Sequence, residues 1–189
     1  MRSSIDVGLP GMMSYADAQR DMRFAYFNGA TGAVTSATAW LAAAFVATFV
    51  SATAGIVALV LGGMLIFPAS VLLCKALGRP GKFSEGNPLA RLAIEGTIWM
   101  MLAIPLAIGA ALYRAEWFFP AMLLVIAGRY FTFQTLYGLK IYWAFGATLA
   151  LSAALLLMFE APVVAGAYTG AIIEYAYAIA IFSAKQNAN

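Results

Sequence analysis

No histidine occurs in the 189 residues of this chain. That absence excludes histidine-ligated haem, the usual zinc and di-iron centres, and nucleophile systems built on Ser-His-Asp or Cys-His. A single cysteine, Cys74, excludes an internal disulfide and a Cys-x-x-Cys redox pair. There is no Walker A loop and no Gly-x-Gly-x-x-Gly run, so no phosphate-cradling loop of known type is present. Charge is scarcest of all: Asp, Glu, Lys and Arg make up 10% of the residues, against about 25% in an average soluble domain.

Apolar residues fill the space that charge leaves. They make up 63% of the chain, and the mean hydropathy is +0.86. A water-soluble protein of this size has too much surface to cover with so few charges. The composition points to an all-α polytopic membrane protein. The net charge of +3 is then a matter of membrane topology rather than of nucleic-acid binding. Residues 1–28 carry Arg2, Asp6, Asp17, Arg20, Asp21 and Arg23 and lack the apolar core of a cleavable signal, so the first apolar segment is expected to act as an uncleaved anchor.

A bilayer core needs about 20 apolar residues per helix. Six segments meet this, near 30–50, 54–77, 88–112, 117–138, 140–159 and 162–184. Ahead of them, residues 1–13 read as a flexible cytoplasmic tail, and 14–28 as an interfacial helix capped at Ser14. Residues 14–189 form one transmembrane domain in this scheme. Asn87-Pro88 and Pro162 open spans, Pro120 falls in a first turn, and Pro68 and Pro105 lie inside spans, where a kink is expected. Arg2, Arg20, Arg23, Lys75, Arg79, Lys82, Arg91, Lys140 and Lys185 fall on one side, and only Arg114 on the other. By the positive-inside rule both termini are cytoplasmic, and a bacterial inner membrane is the expected location. Tyr113, Trp117, Phe118 and Phe119 are expected as an outer aromatic belt, and Tyr26, Phe27, Tyr137, Tyr142 and Trp143 as an inner one. The loop 78–88 (GRPGKFSEGNP) reads as a solvated connector whose basic side touches lipid head groups. Gly29-Ala30-Thr31 and Gly146-Ala147-Thr148 start two span pairs and raise the question of a duplication.

Three ionisable residues fall inside spans more than a turn from either end: Glu95, Arg129 and Glu174. Each costs about 2.5–3.5 kcal/mol at a helix centre, so none should face lipid. Counting about 1.5 Å per residue from the outer ends puts Arg129 and Glu174 at one level near the midplane. An Arg129–Glu174 pair is therefore expected, either as a structural lock or as a polar centre for a solute or a proton. Glu95 lies nearer the cytoplasmic end, within reach of Gln134, a tyrosine hydroxyl or Arg129 itself. Tyr130, Tyr168 and Tyr175 supply hydroxyls and ring faces. Gly166, Gly170, Glu174 and Ala178 share one helix face, a small-residue packing stripe. Thr35, Ala39, Ala43 and Ala47 form a second stripe, which serves packing within the bundle or docking to another membrane protein.

The run Leu61-Gly-Gly-Met-Leu-Ile-Phe-Pro68, followed by Asn87-Pro88-Leu89, Trp117-Phe-Phe-Pro120 and Tyr137-Gly138-Leu139, resembles a family of small bacterial membrane proteins catalogued as a domain of unknown function. The resemblance implies six helices and no assigned reaction. A weaker, fold-scale likeness is to the substrate-binding subunits of energy-coupling-factor vitamin transporters, which also have six helices and a small-residue stripe on the first. The expected function is a small-solute transporter or permease, with proton coupling open, whose site residues are Glu95, Arg129, Gln134, Glu174, Tyr130, Tyr168 and Tyr175. The alternative is a non-catalytic accessory or binding subunit of a larger membrane complex. An intramembrane enzyme ranks last, because only a carboxylate at Glu95 or Glu174 could serve it. No cofactor, metal or nucleic acid is expected. The expected partners are lipid, a small solute, and a second copy or another membrane protein on the small-residue faces.

Overall fold

Helix α1 (Tyr15–Tyr26) starts where Ser14 accepts a hydrogen bond from the Asp17 amide, at 3.2 Å. A computed structural model describes residues 13–183; the expected tail and the cytoplasmic Arg2 and Lys185 fall on 1–12 and 184–189, outside the described residues. After α1 come α2 (Ala30–Phe49), α3 (Ala52–Ala76), α4 (Ala90–Tyr113), α5 (Phe118–Tyr137), α6 (Ile141–Met158) and α7 (Val163–Ser183). No strand occurs among the described residues. The six later helices match the six expected segments to within two residues at each end. Among the described residues, five helical stretches are long and apolar enough to cross a membrane. They are the α1–α2 stretch, α3, α4, α6 and α7. The remaining helix, α5, has 20 residues and carries Arg129 and Gln134, which lower its hydropathy.

The turn from α1 into α2 is tight. Phe27, Asn28 and Gly29 all have positive φ, at 49°, 60° and 89°. Gly29 is required there, because a Cβ would fall on the Tyr142 hydroxyl and 2.9 Å from the Tyr137 ring. Tyr142 fixes the turn by donating its hydroxyl hydrogen to the Asn28 carbonyl at 2.5 Å.

In lipid, helices gain little from apolar burial alone, so close backbone approach matters more. Small residues provide it. The Ala39–Ala43–Ala47 stripe of α2 packs on Gly62 and Gly55 of α3: a Cβ on Gly55 would lie 2.5 Å from that of Ala47, and one on Gly62 3.2 Å from that of Ala39. On α7, Gly166 receives Phe119 of α5 and Gly170 receives the Trp40 ring of α2. Both stripes are thus filled within one chain. Helix α2 lies between α3 and α7, α6 packs along α5, and α4 leans on α5. Pro68 and Pro105 lie inside α3 and α4, which remain single helices through them.

Several expectations are corrected by this packing. Phe118, Phe119, Tyr137 and Tyr142 are buried, so they belong to the core and not to interface belts, whereas Tyr113 and Trp143 are exposed. The loop 78–88 is exposed along most of its length, but it also anchors α1. Asp21 accepts hydrogen bonds from the Ser84 hydroxyl (2.7 Å), the Ser84 amide (2.9 Å) and the Asn87 amide group (2.7 Å). Asn87 also donates to the Ala18 carbonyl and caps the Leu89 amide. The Arg79 guanidinium lies over the Phe24 ring at 4.3 Å, while Lys82 of the same loop stays exposed. On its other side α1 reaches the end of α5: Gln19 and Tyr15 donate to the Thr135 carbonyl and Arg23 to that of Tyr137. The duplication also fails as a structural idea. Gly29 breaks a helix with a positive φ, whereas Gly146 sits inside α6 against Phe131.

Candidate functional site

The polar residues of the bundle separate into an enclosed group and an open one. Glu174 on α7 is fully buried. Its Oε1 accepts a hydrogen bond from the Tyr130 hydroxyl of α5 at 3.3 Å, the buried Ser36 of α2 stands beside it, and Oε2 has no partner among the described residues. The Trp40 indole N–H, also buried, has no acceptor among them. The small residues above explain the enclosure. Gly170 lets the Trp40 ring lie against α7, and Glu174 follows one turn later on the same face.

Tyr130 belongs to an aromatic column. Its ring stacks on Phe145 at 3.7 Å, and Phe145 stacks on Tyr177 at 4.4 Å. Tyr142 and Tyr137 continue the column toward α1. This column holds the Tyr130 hydroxyl on Glu174.

Arg129 is the next residue back on α5, and it points elsewhere. One helical step turns a side chain by about 100°. Its Nη1 donates to Thr97 Oγ1 of α4 at 3.0 Å, and its guanidinium lies 5.2 Å from the centre of the Phe133 ring. It makes no ion pair among the described residues. The expected Arg129–Glu174 pair is therefore not formed. The two side chains leave their helices toward different neighbours: Arg129 toward Thr97 of α4, Glu174 toward Ser36 of α2 and Tyr130.

Arg129 lines a cleft of about 350 Å³ between α4 and α5, together with Leu92, Glu95, Gly96, Trp99, Gly128 and Thr132. Two glycines bring the helices together there. A Cβ on Gly128 would lie 3.2 Å from the Trp99 ring, and one on Gly96 3.4 Å from Thr132 Oγ1. Glu95 is exposed in this cleft and makes no side-chain hydrogen bond among the described residues, so its expected bonds to Gln134 or to a tyrosine are absent. Gln134 is half-buried and outside the cleft lining. Tyr168 and Tyr175 also stand apart: their hydroxyls bond Thr48 at 3.4 Å and Thr38 at 2.8 Å, tying α7 to α2. Of the seven expected residues, the structure joins Glu95 to Arg129 and Glu174 to Tyr130.

A model for a family of unknown function, DUF7010, matches residues 15–184. The chain belongs to this family. No curated protein and no solved structure matches it. The likeness to energy-coupling-factor subunits gains no support from these comparisons.

Thr97, Trp99 and Thr132 of this family member, and Ser36 and Trp40 in the enclosed group, were not among the expected site residues. One signal pointed to the first set. Glu95-Gly96-Thr97 and Gly128-Arg129 each place a glycine beside a membrane charge, which marks where two helices meet. Among the described residues, no group of three acids or cysteines could hold a metal ion.

Proposed function

We propose that this family member is a carrier for a small solute with an anionic group. It crosses a bacterial inner membrane in six spans, with both termini cytoplasmic. The topology is supported by which ends meet. Helix α1, the 78–88 loop and the end of α5 hydrogen-bond to one another, and Phe27 packs on Phe182 near the end of α7. All the described basic residues assigned inside lie in or beside these segments. At the other end Arg114 pairs with Glu160 at 3.6 Å.

The observation that carries the proposal is Arg129: a cation within a membrane helix, without an ion-pair partner among the described residues, lining a cleft. A chain tolerates such a group where it meets water, solute or head group. Helix α5 gives this site a second arm. Tyr130 bonds the buried Glu174, so a proton arriving on Glu174 and a solute arriving on Arg129 act on adjacent residues of one helix. Proton coupling through Glu174 is part of the proposal. The alternative of an accessory subunit docking through the α2 stripe is weakened, because α3 already covers that stripe.

Uptake into proteoliposomes tests it. Small carboxylates, phosphates and amino acids are offered under an imposed pH gradient. Arg129→Gln should abolish uptake of whichever solute the wild type accumulates, and Glu174→Gln should abolish its response to the gradient. Uptake unchanged in Arg129→Gln would defeat the proposal. Uptake that ignores the gradient and survives Glu174→Gln would remove the proton.

A further inference from the structure

The cleft between α4 and α5 holds two opposite charges that do not satisfy each other. Arg129 and Glu95 both line it, yet they form no ion pair. The guanidinium is pinned. Thr97 Oγ1 donates to the Ala93 carbonyl at 2.9 Å, which turns its lone pair toward Arg129 Nη1. Phe133 lies against the guanidinium plane. One of about five guanidinium N–H donors is thereby used, and the others have no acceptor among the described residues. The Glu95 carboxylate has no donor among them either.

A lone anion bound to Arg129 would face Glu95, and a lone cation bound to Glu95 would face Arg129. Each would be repelled by the second charge across a small, partly dry gap. A ligand bearing both signs meets both. We propose that this cleft binds a zwitterion, with its oxyanion on Arg129 and its primary ammonium on Glu95. The proposal rests on the carrier reading only in taking the cleft as the ligand-facing site; binding itself does not require transport.

The order of the two charges favours a phosphoethanolamine headgroup over a free amino-acid-like zwitterion. Glu95 is five residues into α4 and Arg129 eight residues from the end of α5, so they lie about 8 Å and about 12 Å from the same end of the bundle. In a phospholipid the phosphate is the deeper group and the ammonium the outer one, which is the order of Arg129 and Glu95. The Trp99 ring, 53% exposed, borders the cleft. The volume, about 350 Å³, is near the lower end of the range for small-ligand sites.

The test is native mass spectrometry of the full chain released from nanodiscs holding equal parts of phosphatidylethanolamine, phosphatidylcholine and phosphatidylglycerol. The expected result is retention of phosphatidylethanolamine above both others. Glu95→Gln should lower its preference over phosphatidylglycerol about tenfold or more, the effect of one charge-assisted hydrogen bond. Arg129→Gln should lose both lipids. If Glu95→Gln does not fold, the wild type still decides, because the trimethylated ammonium of phosphatidylcholine cannot donate to Glu95. In a second arm, free O-phosphoethanolamine and glycine are added to protein in pure phosphatidylcholine nanodiscs. A thermal shift there assigns the site to a soluble zwitterion; its absence beside selective lipid retention assigns it to the headgroup. Equal retention of all three lipids with no shift from either free probe overturns the proposal, as does a Glu95→Gln variant that keeps the preference. Zwitterion binding without any uptake would sink the carrier reading alone. Uptake of a solute lacking an ammonium, undiminished in Glu95→Gln, would sink this inference alone.

Discussion

Replacing Gly170 with alanine adds one methyl group where none fits. The new Cβ would fall onto Cε3 of Trp40 and lie 2.6 and 2.7 Å from Cδ2 and Cζ3. Real Cβ contacts do not come that close, so something must move. The indole cannot move easily: Trp40 is fully buried and packs against the Phe119 ring, 5.8 Å away. Overpacking of this kind costs about 1–3 kcal/mol, and a rigid ring over a helix backbone belongs at the upper end. Against it stands the helix-propensity gain of glycine to alanine, about 1 kcal/mol. The net expectation for Gly170→Ala is a loss of about 2 kcal/mol. Gly63 on α3 has nothing within 4 Å of its Cβ position, so Gly63→Ala keeps the gain without the clash. The two variants make the same chemical change in two helices and should move in opposite directions. Thermal unfolding in one detergent, followed by tryptophan fluorescence, measures both. If Gly170→Ala melts at or above the wild type, Trp40 does not seat on α7 as described, and the enclosure of Glu174 that depends on this contact falls with it.

Three further outcomes are expected. Glu174→Gln should fold within about 1 kcal/mol of the wild type, because no cation loses its partner, whereas Glu174→Ala should lose about 2–4 kcal/mol through a cavity and an unpaired Tyr130 hydroxyl; purified yield and melting temperature distinguish them, and an unfolded Glu174→Gln would restore the idea of a charge lock. Asn87→Ala removes the bonds to Ala18, Asp21 and Leu89, a loss of about 3 kcal/mol, and should raise hydrogen exchange throughout α1; unchanged exchange would mean that the loop does not hold the helix. Burial alone would raise the pKa of Asp21, but the bonds from the Ser84 hydroxyl, Asn87 and the Ser84 amide outweigh it and hold the carboxyl below its ordinary value. A group whose folded value is depressed stabilises at pH above its unfolded value, about 4, and loses that contribution as the pH falls through the folded value. Docking of α1 on the loop should therefore weaken below about pH 4 in the wild type, and Asp21→Asn should flatten that dependence in the same exchange experiment.

The helices were legible because lipid imposes length. A span needs its run of apolar residues, and α2 through α7 lie within two residues of where those runs suggested. Position along a helix was legible for the same reason: Arg129 and Glu174 each fall eleven residues after the first residue of their helix. Azimuth was not. Helices α5 and α7 are apolar on every face, so no amphipathic stripe says which way a given residue points, and Arg129 and Glu174 were paired on level alone. Four of the nine belt residues, Phe118, Phe119, Tyr137 and Tyr142, fail by the same logic. Phe118 and Tyr142 stand near helix ends, as belt residues do, but only packing decides whether an end residue faces lipid or a neighbour. The hydrogen bonds of the loop 78–88 are not legible locally, because its partners, Ala18 and Asp21, lie more than sixty residues earlier, on a helix whose position no local pattern fixes.

Where an azimuth did show in the sequence, it showed as glycine. Gly166 and Gly170 marked the face of α7 that meets α5 and α2, and Glu174 lies on that face. Gly96 and Gly128 stand beside Glu95 and Arg129 in the same manner, and they mark the contact of α4 with α5. A charge next to a close helix contact is held by that contact, since neither helix can turn it toward lipid without breaking the packing. This gives Arg129 and Glu174 a common footing despite their separation. Both are fixed by α5, one through the glycine contact with α4 and the other through the stacked ring of Tyr130. Any rotation of α5 that draws Arg129 from Thr97 must also drag Tyr130 from Glu174. A double-mutant cycle of Arg129→Gln with Tyr130→Phe measures that link. Coupling in ligand binding beyond the simple sum of the two changes supports it, and strict additivity would leave the two polar sites independent.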